Sequence, residues 1–393
     1  MAKETGKQKK LNLIWQLLSL LLVGLLIYSS FGIYSMLHLR SQGFSYDLDE
    51  ELEWEGQSNL TVFLLGVDDT TDELRFVDSI HLLHFRADSG SIQVLTISPE
   101  LNILVEREDT FNLEDENKYL PLRNLINYFR QQKVLGAEID PFNEFVFELE
   151  ALLGVRSQRH IVLSKQDLPE ILIPFQRARG IEQNSQEFIS RLSKENEQDP
   201  DEKLLAQNDA LVQIFSAMNS PFWYALSIPS YMQNRSQLDR FVETDLSGAE
   251  LWRLISYIRN TAERDVRLEI VSQDMTFIQG ERLFLDRNDV DELLREILRN
   301  NTILQEQARI DLLNGGDQRG QAANTRRILE NHSFDVVRIE STIQPYTTPT
   351  LYLADPKAYP NTIETLQNFF PNLEIKQEEY PFRPTGDMVL VVV

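Results

Sequence analysis

Residues 60–101 read LTVFLLGVDDTTDELRFVDSIHLLHFRADSGSIQVLTISPEL, and this stretch decides how the rest of the chain is interpreted. It contains three apolar runs, Leu60–Val67, Ser79–Phe85 and Ile92–Ile97, which are rich in Val, Ile, Leu and Phe. Polar breaks that contain Gly or Asp separate the runs. Apolar runs of this length between such breaks predict three strands of one sheet.

Charged side chains lie where these predicted strands begin and end. Asp68 follows the first strand, Arg75 and Asp78 precede the second, and Glu100 follows the third. We therefore expect the four side chains to gather at one edge of the sheet. Carboxylate oxygens suit a hard divalent cation, and a guanidinium fork matches a phosphate. The alternative is structural: Asp68 and Asp69 are turn residues, and Arg75 forms an ion pair with one of them.

The composition excludes several classes of function. The chain has 393 residues, enough for two or three domains, and a formal charge of −23 from 38 basic and 61 acidic residues. A body this acidic repels nucleic-acid phosphates, so we expect no nucleic-acid partner. The absence of cysteine excludes disulfides, thiolate catalysis and Cys-based zinc sites. The five histidines show no metal-ligand spacing, and no Gly-x-Ser-x-Gly or His-Glu-x-x-His motif occurs.

The amino-terminal segment predicts a membrane anchor. Residues 11–37 carry no charged side chain, and the preceding residues 1–10 contain Lys3, Lys7, Lys9 and Lys10. A run of about 20 apolar residues is enough to cross a bilayer, and the lysines predict a cytoplasmic amino terminus. A cleaved signal peptide is the alternative, but its apolar region is shorter and ends at small residues. We expect a single-pass plasma-membrane protein whose bulk lies outside, beyond an acidic spacer at residues 38–58.

Alternating strand and helix signals fill residues 59–300 and predict α/β layers. A helix is expected to begin at Asp140-Pro141 and to stop at Gly154, because Pro suits a first helical position and Gly suits a helix end. Ser247 and Glu250 have the spacing of a capping box at the start of a later helix. We expect a short hinge at residues 300–307, followed by a smaller α+β domain at residues 308–393.

Three motifs in the opening stretch resemble the LytR-CpsA-Psr family of bacterial envelope proteins, also called cell envelope-related transcriptional attenuators. The family's first strand ends in Gly-Val-Asp, found here as Gly66-Val67-Asp68. Its Arg-x-Asp-Thr-Ile element corresponds to residues 75–80, which are one residue longer. Its Ile-Pro-Arg-Asp element corresponds to Ile97-Ser98-Pro99-Glu100, which keeps an acid and lacks the arginine.

The resemblance continues through the chain in the family's order. Asn124 takes the asparagine of a Lys-x-Asn motif, with Leu122 at the lysine position. At the family's Gly-Arg-x-x-Arg-Gln helix start, Lys203 and Ala206 stand at the two arginine positions and Gln207 matches the glutamine. The run from Leu312 to Gly316, the segment at residues 333–337 and the closing strand at residues 386–393 resemble the LytR carboxy-terminal domain.

The resemblance implies a function and a set of site residues. The family is thought to transfer a phosphate-linked glycopolymer from a polyprenyl-pyrophosphate carrier to peptidoglycan. Such a site needs a metal to neutralise pyrophosphate, arginines to hold it and an apolar slot for the prenyl tail. By that resemblance Asp68, Asp78 and Glu100 are the expected Mg²⁺ ligands, and Arg75 and Asp78 the catalytic pair. The expected substrate-binding residues are Arg75, Arg123, Asn124 and Lys203.

Two other functions compete with this enzyme hypothesis. A non-catalytic relative would act as a wall-facing scaffold or as a module that binds polyprenyl phosphate or polymer. The arginines that are absent at Pro99 and Ala206 favour that alternative, since one lost transition-state donor reduces a rate about 10²–10³-fold. Transcriptional control fits poorly, because no basic helix-turn-helix is evident and the folded mass is expected outside the membrane.

Overall fold

The computed structural model describes residues 54, 56, 58–71, 74–105, 119–134, 140–164, 200–218, 242–316, 320–342, 345–377 and 384–393. The predicted anchor at residues 11–37, the cytoplasmic residues 1–10 and most of the 38–58 spacer lie outside this part. Within the described ranges, no helix is long and apolar enough to span a bilayer.

The chain has a mixed α/β fold, and its larger domain is built on one sheet whose strands lie between residues 60 and 270. The strands of this sheet are β1 (Leu60–Thr71), β2 (Leu74–Arg86), β3 (Ser91–Ile97), β6 (Arg159–Ser164), β7 (Val242–Thr244) and β8 (Val266–Ile270). Two small ribbons lie beside it, β4 (Asn102–Leu104) with β5 (Tyr119–Pro121) and β9 (Thr276–Gln279) with β10 (Arg282–Leu285). The α-helices described around this sheet are α1 (Leu122–Val134), α2 (Pro141–Leu153), α3 (Pro200–Met218), α4 (Gly248–Asn260) and α5 (Arg287–Ile297).

The six described strands run in the order β7-β6-β1-β2-β3-β8. The pairs β1–β2, β2–β3 and β6–β7 are antiparallel, whereas β1–β6 and β3–β8 are parallel. The carboxyl ends of β1, β3, β6 and β8 therefore meet the start of β2 at one edge of the sheet. We call this edge the Asp78 edge.

Helices cover both faces of this sheet, as the alternation of side chains along its strands requires. Phe63, Leu65 and Val67 of β1 pack in one core with α1, α2 and α5. Leu60 and Val62 point to the other face and pack in a second core with α3 and α4. The expectation of α/β layers over residues 59–300 agrees with this arrangement.

The first hairpin is longer than the sequence predicts. The expected strands end at Val67 and begin at Ser79, but β1 continues to Thr71 and β2 starts at Leu74. Asp68, Arg75 and Asp78 therefore lie within strands, and the interpretation of Asp68 as a turn residue is wrong. The extension follows from pairing across the hairpin, where Asp68 lies opposite Phe76. Cross-strand pairing of this kind leaves little trace in the local sequence.

The capping residues in the sequence predicted the helix ends more accurately than the apolar runs predicted the strand ends. Asp140 accepts hydrogen bonds from the backbone N–H groups of Phe142 and Asn143, and Gly154 ends α2 with φ +68°. Ser247 and Glu250 form the expected capping box at the start of α4. Glu250 is fully buried and also accepts hydrogen bonds from the backbone N–H of Trp54 and from the side chain of Arg159.

The predicted hinge at residues 300–307 contains a short helix, α6 (Asn301–Glu306). Asn300 caps it by accepting hydrogen bonds from the backbone N–H groups of Thr302 and Ile303. The last domain follows, with a sheet in the order β12-β11-β15-β13-β14. Its elements are β11 (Arg309–Asn314), α7 (Gln321–Asn331), β12 (Asp335–Ser341), β13 (Thr350–Leu353), α8 (Pro360–Phe369), β14 (Glu374–Lys376) and β15 (Met388–Val392).

The last domain docks on the larger one through α7. The guanidinium of Arg327 donates hydrogen bonds to the carbonyl oxygens of Ala151 (3.1 Å) and Leu152 (2.9 Å) at the end of α2. It also pairs with Asp291 of α5 at 2.7 Å. The amide of Asn331 donates to the carbonyl of Gly154 at 2.9 Å. These contacts lie away from the Asp78 edge, so the site described next belongs to the larger domain.

Candidate functional site

A bulge sets the position of Asp78. Gly66 pairs with Ser79 and Val67 pairs with Val77, so Asp78 is the extra residue of β2 between them. A bulge accommodates one additional residue and re-aims its side chain, and such bulges are common beside functional sites. Gly66 lies opposite, where a Cβ would collide with the Ser79 hydroxyl in its present rotamer. The carboxylate of Asp78 is partly exposed, at 26%.

Arg123 brings two of the predicted acids together. Its Nη1 lies 2.8 Å from Oε1 of Glu100, and its Nη2 lies 3.9 Å from Oδ1 of Asp78. Arg123 is held there because its backbone N–H donates a hydrogen bond to the carbonyl of Pro99 at the start of α1. Its guanidinium also lies 5.9 Å from the ring of Phe76. Asp78, Glu100 and Arg123 thus converge at one edge of the sheet, as predicted for the two acids.

Arg75 forms an ion pair with Glu243, a residue that no sequence pattern had indicated. Its Nη1 and Nη2 lie 2.8 Å and 2.7 Å from the two carboxylate oxygens of Glu243, in β7. Its backbone N–H donates to the side-chain carbonyl of Asn127 at 2.8 Å. Asn127 is buried in α1, one turn after Asn124. The spacing of one helical turn from Asn124 was the one sequence signal for Asn127, and no sequence pattern indicated Glu243.

Helix α3 reaches the site through Gln207 rather than through Lys203. The Gln207 amide donates to the backbone carbonyl of Asp78 at 3.4 Å, and the Gln207 side chain is fully buried. Its neighbour Asn208 accepts a hydrogen bond from Thr96, whose hydroxyl also lies 2.8 Å from Nδ1 of His81. Lys203 lies one turn earlier in the first part of α3 and is half-buried.

The remaining predicted residues are Asp68, Asn124 and Lys203. Asp68 is half-buried in β1 opposite Phe76. Asn124 is half-buried in the first turn of α1. In the part of the chain that the structure describes, no hydrogen bond or ion pair connects Asn124 or Lys203 to Asp78, Arg75 or Arg123.

The predicted Mg²⁺ ligands are not arranged as a metal site. Among the described residues, no group of three or more His, Asp or Glu side chains is close enough to hold an ion. The guanidinium of Arg123 lies between Asp78 and Glu100 and balances their charge in the place of a cation. This arrangement does not fit the metal unless Arg123 moves, so the magnesium site stays a prediction.

The ion pairs of Arg75 and Arg123 are suited to the replacement of a bound carboxylate by a phosphate. Arg75 and Arg123 each hold a carboxylate of this chain in a partly exposed position, at 16% and 40% exposure. A phosphate offers the same oxygen geometry as a carboxylate and carries more charge, so it competes for a guanidinium fork. The site therefore presents two guanidinium groups, with Asp78 beside one of them as an acceptor of a proton.

Comparison with known families identifies the last domain. Residues 307–393 match the LytR_C family, described as LytR cell envelope-related transcriptional attenuator. The predicted resemblance of the closing segment to the LytR carboxy-terminal domain is therefore confirmed. A sequence search of curated proteins returned no match.

Solved structures similar to this chain include three bacterial proteins. The protein gbs0355 from Streptococcus agalactiae is 10% identical, with a TM-score of 0.46 over 62% of this chain and 88% of its own. TagV from Bacillus subtilis is 10% identical, with a TM-score of 0.45 over 61% and 97%. TagT bound to LIIa-WTA is 13% identical, with a TM-score of 0.41 over 65% and 95%. Likenesses this weak do not assign a function.

Proposed function

We propose, from the premise that residues 307–393 form a LytR_C domain, that this chain is a divergent LytR-CpsA-Psr protein of the cell envelope. It attaches a phosphate-linked glycopolymer, carried on a polyprenyl pyrophosphate, to peptidoglycan. The observation that carries the proposal is the convergence of Asp78, Glu100 and Arg123 at one sheet edge. Residues 11–37 would anchor the chain in the plasma membrane, with the folded domains outside.

The reaction at this edge would be a phosphoryl transfer. A hydroxyl of the acceptor glycan attacks the phosphorus that bears the polymer, a new P–O bond forms, and the bond to the bridging oxygen breaks. Polyprenyl phosphate leaves, and Asp78 takes the proton of the attacking hydroxyl. Arg75 and Arg123 exchange their carboxylate partners for phosphate oxygens and stabilise the charge that develops there.

Transfer by the full-length protein in vesicles tests this proposal. The donor is a polyprenyl-pyrophosphate-linked saccharide, the acceptor is peptidoglycan, and released polyprenyl monophosphate is measured. Asp78→Asn and Arg75→Ala should each lower the rate about 10²–10³-fold, because each removes a group that acts in the transition state. Arg267→Ala is the matched control, since Arg267 pairs with Glu296 at 2.8 Å on a different part of the surface. Wild-type rates in both site variants would contradict the proposal.

A second candidate function is a non-catalytic scaffold or a module that binds polyprenyl phosphate or polymer. It is favoured by Ala206 and Pro99, which stand where the family has arginines, and by the Glu243 carboxylate that occupies Arg75. Binding of the donor without release of polyprenyl monophosphate, unchanged in Asp78→Asn, supports this candidate. Clear turnover by the wild-type protein would remove it.

A further inference from the structure

The ribbon of β9 and β10 carries large apolar side chains into solvent. Phe277 is 48% exposed and Ile278 is 74% exposed, and both belong to β9, the outer strand. Neighbouring residues of a strand point to opposite faces, so these two side chains lie on opposite sides of the ribbon. Gly280, with φ +68°, makes the turn between the two strands.

Each face of the ribbon continues an apolar surface. On one face the rings of Phe277 and Phe284 stack at 5.6 Å, and Tyr119 lies edge-on to Phe284 at 5.4 Å. On the other face Ile278 lies opposite Leu283, which is half-buried and packs against the core of the larger domain. A docked protein surface covers one face of such a ribbon, whereas an apolar phase that surrounds its tip covers both. Exposed apolar side chains on opposite faces of the outer strand therefore favour insertion of that strand into lipid.

The ribbon lies directly beside the Asp78 edge. Leu283 forms a parallel bridge with Leu101, the residue after Glu100. The side-chain amide of Asn102 donates to the carbonyl of Leu283 at 3.3 Å. Tyr119 belongs to β5, which leads straight into α1 and Arg123. A surface that touches the ribbon is thus next to the cluster of Asp78, Glu100 and Arg123.

We propose that the tip of the β9–β10 ribbon inserts Phe277 and Ile278 into the outer leaflet and holds the Asp78 edge at the height of the lipid headgroups. This inference rests on the proposed function, since the pyrophosphate of a membrane-embedded carrier lies at that height. Aromatic rings and arginine suit the interface, and the guanidinium of Arg282 lies 5.2 Å from the ring of Tyr119. The formal charge of −23 opposes attraction to anionic headgroups, so apolar side chains make the contact.

The proposed anchor permits this orientation. Trp54, the first residue that the structure describes, is buried with Leu60 and Phe85 in the core at the end of β1 opposite to Asp68. Residues 38–53, if fully extended, would reach about 55 Å, whereas a strand as long as β1 measures roughly 40 Å. The chain can therefore leave the membrane, pass along the domain and still let the far edge of the sheet return to the bilayer.

Site-directed fluorescence on the full chain tests the insertion. The protein contains no cysteine, so Ile278→Cys can be labelled alone with an environment-sensitive fluorophore. In vesicles of zwitterionic lipid without carrier, we expect lipids spin-labelled on the acyl chain to quench this label at least twofold. Aqueous iodide should quench it several-fold less than it quenches the label at the control position, Leu304→Cys, in the same vesicles. Neither readout needs carrier or turnover, so failure of the proposed enzyme activity would leave them unchanged.

The matched control is Leu304→Cys, which replaces an apolar side chain of similar size that is 41% exposed. Leu304 belongs to α6, beside Asn301, whose amide donates to Asp88 in the turn between β2 and β3. That turn is at the edge of the sheet opposite to Asp78, so lipid spin labels should not quench this position. Equal quenching at both positions, or full access of iodide to position 278 in vesicles, would overturn the proposal. Protection of position 278 from iodide without quenching by the spin-labelled lipids would also overturn it, by indicating a protein partner such as a second copy.

Discussion

The guanidinium of Arg75 and the carboxylate of Glu243 form a two-pronged ion pair, with distances of 2.8 Å and 2.7 Å. The two residues are 168 positions apart in the chain. Glu243 is 54% exposed, whereas Arg75 is 16% exposed, so the carboxylate can leave into solvent while the guanidinium stays in place. Any phosphate that binds Arg75 must first displace this carboxylate.

Removing the charge of Glu243 should therefore strengthen phosphate binding at Arg75. An exposed ion pair contributes about 0.2–1 kcal/mol, so Glu243→Gln should tighten the binding of inorganic pyrophosphate up to about fivefold. Isothermal titration at low salt measures this change. Glu296→Gln is the control, because it breaks a pair of the same type with Arg267. Equal tightening in both variants would show a general effect of net charge.

Arg123 should matter for chemistry and little for stability. Its side chain is 40% exposed, and such pairs add at most about 1 kcal/mol to folding. Arg123→Met should therefore shift the free energy of unfolding by less than that, while the transfer rate falls about 10²-fold or more through loss of a phosphate donor. Urea denaturation and the release of polyprenyl monophosphate measure the two effects. A large loss of stability together with the loss of rate would assign Arg123 a structural role.

Structural features that depend on residues close together in the sequence could be predicted, whereas contacts between residues far apart in the sequence could not. The ends of α2 were predictable because Asp140, Pro141 and Gly154 act within one or two turns of the helix. The gathering of Asp78 and Glu100 followed from strand order, since both lie where strands meet one edge. The partner of Arg75 was not predictable, because Glu243 is brought to it by β7 pairing with β6 at the far side of the sheet.

The extension of β1 and the bulge at Asp78 were also missed for a physical reason. Residues 68–71 are polar and contain two aspartates, which single-sequence reasoning assigns to a turn. Backbone pairing with β2 overrides that preference. The extra residue noticed between Arg75 and Asp78, relative to the family motif, was the available sign of a bulge.

Gly66 should tolerate no side chain unless Ser79 is shortened. A Cβ at Gly66 would collide with the Ser79 hydroxyl, so Gly66→Ala should destabilise the fold by about 1–3 kcal/mol. Combining it with Ser79→Ala should recover most of that loss, because the colliding oxygen is removed. A double-mutant cycle from urea denaturation measures the coupling. Additive losses in the double variant would show that the glycine is needed for another reason.

The docking of the last domain should depend on Arg327. Its side chain and that of Asp291 are 14% and 13% exposed, and it also caps the end of α2. Arg327→Ala leaves the Asp291 charge without this partner, which costs about 3–5 kcal/mol for a well-buried pair and somewhat less here. The adjacent Arg326→Ala breaks an exposed pair with Glu330 and should cost no more than about 0.5 kcal/mol. Limited proteolysis near residue 300 and thermal melts distinguish the two variants.

Acid should destabilise the protein through buried histidines. Burial lowers the pKa of His81 and of His84 from 6.5 to about 3, and it lowers the pKa of His332 well below 6.5. Between pH 6.5 and 3 the unfolded chain therefore binds protons that the folded protein does not bind. The free energy of unfolding falls as pH decreases through this window, by up to about 1.4 kcal/mol per pH unit for each histidine.

Replacing His81 should make that dependence shallower. His81→Gln removes one titrating group, so the slope of unfolding free energy between pH 6 and 4 should fall by about 1.4 kcal/mol per pH unit. The control is Thr96→Val, which removes the hydroxyl 2.8 Å from His81 and keeps the buried ring, so stability drops and the slope remains. Burial raises the pKa of Glu150, which acts in the opposite direction, but it does so equally in all three proteins. An unchanged slope in His81→Gln would mean that His81 is protonated in the folded state at these pH values.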